Sequence, residues 1–242
     1  MISFAAIAML GFFLGMRHAL DPDHVIAITT IVSKQGTTSR AALIGAMWGV
    51  GHTMTIFVVG AAIILFNVVI PVRLGLSMEL AVGAMLILLG VLSLTGTTQR
   101  LQSRFAPEPA PHTSAEHTHR SWMPRPFQGF GLYNALRPLL IGIVHGLAGS
   151  AAVALLVMTT IRDPWWALAY LLLFGVGTIA GMMVITAVIS TPFIHTARKY
   201  SRLNRGITLA SGLLSLGSGI FIAYQIGFVD GLFTRHPQWT PK

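Results

Sequence analysis

The chain has 242 residues, 54% hydrophobic and only 10% charged, against about 25% charged in an ordinary soluble domain. That composition excludes a water-soluble globular protein, and the lack of any cysteine excludes disulfides, thiolate metal sites, iron–sulfur clusters and thiol-disulfide carriers. The formal charge of +9 sits almost wholly in short connections between apolar stretches. That is a pattern of membrane topology and not of a nucleic-acid surface.

Six apolar stretches follow in chain order, at about residues 3–32, 41–66, 77–96, 136–160, 165–190 and 206–227. Each is long enough for a membrane helix, and together they predict an all-α polytopic membrane protein. The first has no basic flank and no small-residue cleavage site, so no cleaved signal peptide is expected. At ~1.5 Å per residue it is also too long for one straight crossing. Pro22 lies inside it and cannot donate to the carbonyl of His18. The first helix is therefore predicted to be broken at Pro22, with a hairpin of two short segments as the competing arrangement.

At this break the sequence reads Arg17-His18-Ala19-Leu20-Asp21-Pro22-Asp23-His24. Ionisable groups at membrane depth are costly and mark ion or substrate paths. On a continuous helix His18, Asp21 and His24 share one face, and Asp23 does not. A break would let Asp23 turn inward and would free the His18 carbonyl as a further oxygen donor. Nitrogen and oxygen donors without sulfur suit Ni²⁺, Co²⁺ or Zn²⁺. Arg17 is expected to pair with Asp21 or Asp23 when no metal is bound.

The second stretch carries His52 after Gly49-Val50-Gly51, a candidate ligand or gate beside a notch that admits another helix. In the third, Glu79 lies near Arg73 and reads as part of an interfacial pair. Residues 97–135 then break the apolar pattern with five prolines and with His112, His117 and His119. They form a flexible linker whose histidines either hold metal weakly or are incidental. His195 and His236 fall at the ends of stretches and read as surface residues.

The two sides of this linker resemble each other. Gly15-Met16-Arg17-His18-Ala19-Leu20 matches Gly142-Ile143-Val144-His145-Gly146-Leu147, and Gly49-Val50-Gly51-His52 matches Gly175-Val176-Gly177-Thr178. Gly83 and Gly90 match Gly212 and Gly219. The pattern predicts a 3+3 inverted repeat, residues 1–96 and 136–242 around the linker 97–135, with its site at the repeat interface. His145, the mate of His18, becomes a further candidate ligand. The acids are not repeated, so the site is expected to be asymmetric. Lys and Arg concentrate in the connections 33–40, 97–135 and 191–205. These connections are predicted to be cytoplasmic, with both termini outside.

The Arg17–His24 segment resembles the signature of the nickel/cobalt transporter family, and Gly51-His52-Thr53 resembles its second conserved element. The resemblance implies a single-chain permease for Ni²⁺ or Co²⁺, with His18, Asp23, His24 and His52 as the selective site. It covers the first 60 or so residues, and the rest only by hydropathy. Typical members have eight spans and an acidic, threonine-containing motif in the second half, where this chain reads His145-Gly146-Leu147-Ala148-Gly149-Ser150. The chain is thus similar to the short, urease-associated permease branch.

The expected function is transport of a divalent transition-metal ion through a site made of His18, Asp21, Asp23, His24, His52 and His145. Ni²⁺ or Co²⁺ would be cargo, with no prosthetic group. No phosphate-cradling loop, His-Glu-x-x-His pair or other enzyme motif is present. The expected partners are the ion, the lipid bilayer of a prokaryotic cytoplasmic membrane, and a metallochaperone or a second copy of the chain. The alternative is a carrier for another small substrate that uses the His/Asp cluster as a proton relay.

Overall fold

A computed structural model describes residues 4–33, 36–66, 68, 70–97, 135–148, 161 and 163–239. The described residues are helical, with no strand: α1 (Phe4–His18), α2 (Pro22–Val32), α3 (Thr38–Phe66), α4 (Val72–Leu94), α5 (Ala135–Ala148), α6 (Pro164–Lys199) and α7 (Ser201–Tyr224). A π-helical turn, Gln225–Val229, continues α7. Among the described residues, four segments are long and apolar enough to cross a membrane: Thr38–Phe66, Val72–Leu94, Pro164–Thr196 and Arg202–Val229. The linker with His112, His117 and His119, and the second part of the expected span 136–160, lie outside the described residues.

The expected break is present. α1 ends at His18, and α2 restarts at Pro22 in its first turn. Asp21 at the junction has φ −59° and ψ 143°, an extended conformation of the kind a following proline favours. The His18 carbonyl is not left free, because it accepts the Asp21 N–H at 3.1 Å. α6 runs past Pro192 to Lys199 instead of ending near 190. Near the proline the Ser190 and Thr191 hydroxyls donate to the Ala187 carbonyl and the Thr196 hydroxyl to that of Pro192, the back-bonding such side chains make inside a helix.

α3 and α1 both pack on α6, and α4 packs on α7. The contacts are backbone against backbone. A Cβ on Gly15 would collide with the Phe174 carbonyl, and one on Gly177 with that of Phe12. At the α3–α5 crossing, Gly51 meets the Leu139 carbonyl and Gly142 that of Trp48 in the same reciprocal way. A Cβ on Gly219 would lie 2.7 Å from the Gly83 carbonyl, and one on Gly83 3.2 Å from that of Gly219. Small residues at such crossings permit dispersion contact along the whole helix, the attraction left when lipid is the solvent.

Two apolar clusters bracket the end of α1. One joins Ile28, Trp48, Leu86 and Met182, and the other joins Ile56, Tyr170, Leu171 and Phe174. Gly15→Val should force α1 off α6 and lower unfolding stability in detergent by about 2–3 kcal/mol. Gly217 has nothing within 4 Å. Gly217→Ala should therefore be neutral or stabilising by up to about 1 kcal/mol. Thermal unfolding of both variants checks the contrast, and equal effects would count against the close crossing.

Candidate metal centre

Each functional side chain reaches the centre for a local reason. His18 closes α1, and the break turns Asp23 and His24 back toward it from the first turn of α2. His52 arrives from the middle of α3, next to the Gly51 notch that seats α5. His145 comes from α5, whose Gly142 and Gly146 rest on the α3 backbone. His24 stands between the other three rings, with centroids 4.2 Å from His145, 4.8 Å from His18 and 5.0 Å from His52.

Carboxylates orient these rings. His18 Nδ1 lies 2.8 Å from Asp21 Oδ2. Asp23 spans two rings, with Oδ1 3.2 Å from His24 Nδ1 and Oδ2 2.8 Å from His145 Nε2. An ionised carboxylate only accepts, so each facing nitrogen is the protonated one and the opposite nitrogen carries the lone pair. His18 Nε2 and His52 Nε2 approach to 3.0 Å, a distance at which His52 donates to the His18 lone pair. Three imidazole nitrogens then remain buried without a partner, His24 Nε2, His52 Nδ1 and His145 Nδ1, as does the Trp48 indole N–H. Buried polar atoms in that condition are rare and call for an explanation, an ion among them.

The described residues contain two overlapping sets of donors. His18, His24 and His52 form one, and Asp23, His24 and His145 form the other; within each set the ligand atoms lie within 4.8 Å of one another. His24 belongs to both. His24, His52 and His145 are almost fully buried. Trp48 stacks on His24 at 5.8 Å, and Phe174 lies 5.4 Å from His18. All six candidate ligands border one cavity of about 340 Å³.

The structure brings the six together but gives them different surroundings. Asp21 touches His18 and stands outside both donor sets. Arg17 is exposed and forms no ion pair with Asp21 or Asp23, because imidazoles occupy both carboxylates. His195 and His236 are exposed, as expected. Sequence reasoning missed the place of Glu79, which borders the same cavity and accepts the Trp239 indole N–H at 2.7 Å. Its position as a lone acid inside an apolar span was the available signal.

No protein-family model matches the chain, and no solved structure does. Among curated proteins it is 38% identical over 235 residues to the urease accessory protein UreH of Bacillus sp. (strain TB-90), covering 96% of each chain. It is also 26% identical to two Arabidopsis thaliana chloroplast proteins, FOR GROWTH AND FERTILITY 2 and 1. Those matches take in 93% of this chain but 58% and 61% of the plant proteins.

The two donor sets make a ranked prediction. His24→Ala should weaken Ni²⁺ binding more than about 100-fold, since both sets lose a member. Asp21→Asn, which only frees the His18 ring to turn, should weaken it about tenfold. Calorimetric titration of the purified protein measures both, and equal losses would deny His24 its central position.

Proposed function

This chain belongs to the family of the urease accessory protein UreH, and from that premise we propose that it carries a divalent transition-metal ion, nickel before cobalt, across a bilayer. The observation that carries the reading is the pair of donor sets sharing His24, with three buried imidazole nitrogens that have no other partner. Imidazole with carboxylate and no thiolate matches Ni²⁺ and Co²⁺ and discriminates against Cu(I), Mg²⁺ and Ca²⁺. A urease accessory role argues for nickel among the metals that remain. The chain serves as an accessory protein and is not itself an enzyme.

The finer reading is a compact member of the nickel/cobalt transporter group, built as two inverted halves, 1–96 and 136–242. The reciprocal glycine crossings support it: α1 on α6 repeats as α3 on α5, and α4 meets α7 through matched glycines. A two-fold axis relating the halves would produce these exchanges, and it would pass close to the imidazole cluster. The basic connections support a cytoplasmic membrane location with both termini outside, and the Bacillus relative supports a prokaryotic one. Delivery to a metallochaperone, or work as an oligomer, fits an accessory role.

Asp23 has a defined part in this scheme. It accepts the ring N–H groups of His24 and His145. An arriving ion would take the lone pairs on the opposite nitrogens while Asp23 keeps these N–H groups and fixes the rings. Proteoliposomes containing a metal-sensitive dye test the function. Ni²⁺ and Co²⁺ should enter with saturable kinetics, Mg²⁺ should not, and His52→Ala or His145→Ala should cut the flux at least about tenfold. Proton flux without metal flux would replace this reading with the proton-relay carrier.

A further inference from the structure

We infer that Glu79, positioned by Trp239, is the vestibule residue that draws the ion into the histidine cluster. The inference rests on the metal reading above and adds a route to it. Three of the seven side-chain carboxylates of the chain border this cavity, Asp21, Asp23 and Glu79, whereas no Lys or Arg among the described residues does. A protein of net charge +9 therefore encloses a strongly negative hollow. A concave site of one sign focuses the field and raises the capture rate of the opposite charge.

Asp21 and Asp23 are engaged by imidazoles. Glu79 borders the same hollow from α4, about 10 Å below the first residue of that helix. A carboxylate at this depth is costly unless it serves an ion path or is paired. The surrounding chain is built to hold it there. The π-helical turn sets the consecutive residues Gln225 and Ile226 on the cavity wall, a distortion frequent at functional sites. Gly231, at φ 79°, then reverses the chain, and the Gln238 N–H donates to the Asp230 carbonyl at 2.9 Å. This return lays the Trp239 ring over Gly75, where no Cβ would fit, and points its indole N–H at Glu79 Oε1, 2.7 Å away. The indole fixes the carboxylate at the cavity wall.

Stopped-flow mixing of Co²⁺ with the purified full chain, followed by its visible absorption, tests this. Glu79→Gln should slow the appearance of the bound spectrum about fivefold or more while leaving the end-point spectrum unchanged. Raising the salt should slow wild type more than Glu79→Gln. Glu79→Asp should recover part of the rate. Trp239→Phe, which keeps the ring and removes the donor, should slow binding less, and should add nothing once Glu79 is Gln. An unchanged rate in Glu79→Gln, with a bound spectrum that still requires His24, would overturn the vestibule alone. A spectrum unaffected by His24→Ala would overturn the metal reading, and the vestibule with it.

Discussion

Proline 22 removes one backbone donor, and the centre is organised by the interruption that results. An unbroken helix would carry His18, Asp21 and His24 on one face and send Asp23 elsewhere. With the helix stopped at His18 and restarted at Pro22, Asp23 lies between His24 and His145, on helices far apart in sequence. The break also satisfies itself, because the Asp21 N–H covers the His18 carbonyl. Irregular backbone at membrane depth survives where protein or a cavity surrounds it. Here Ala19 at the break is fully buried, and the α6 backbone passes close behind it at Gly181.

The second support is the depth to which the helices approach each other. Side chains as short as histidine meet only if the helices that carry them are nearly in contact. Gly15, Gly51, Gly142 and Gly177 allow this by putting carbonyl groups where a methyl would otherwise stand. The polar cluster is then closed on either side by Trp48 and Phe174. Apolar walls strengthen every electrostatic interaction among the rings and carboxylates, and they make an unmatched ring nitrogen expensive. Packing and site chemistry are therefore one arrangement: the glycines set the distances at which the imidazoles can share a guest.

Much of this was legible in the chain. Pro22 in an over-long apolar stretch announced the break, and two acids beside two histidines at membrane depth announced the cluster. The repeat of Gly15-x-x-His18 as Gly142-x-x-His145 led to a fourth imidazole that no local pattern would have singled out. What stayed hidden depended on tertiary direction. Spacing left Arg17 free to pair with either aspartate, and only the fold shows it facing outward while the imidazoles take both carboxylates. Spacing likewise could not show that Asp21 touches a single ring while Asp23 bridges two. Glu79 is brought to the cavity by a chain reversal some 150 residues downstream, at Gly231 and Trp239; hydropathy carries no trace of such a reversal. The length of α6 was masked by Pro192 and the Ser190, Thr191 and Thr196 around it, residue types that read locally as a helix end.

That length has a consequence of its own. At ~1.5 Å per residue the 36 residues of α6 measure about 54 Å, far more than the ~30 Å of a hydrocarbon core, and ordinary tilt absorbs little of the excess. The far end must therefore stand among the lipid headgroups or beyond them. It ends in Arg198 and Lys199, and Arg202 and Arg205 follow at the start of α7. Exposed cations such as Arg202 and Arg205 at this end are attracted to an anionic leaflet by about 1 kcal/mol each. The surrounding lipid then acts as a structural partner: neutral, thin bilayers should loosen the helix pair α6–α7, and acidic, thicker ones should hold it upright.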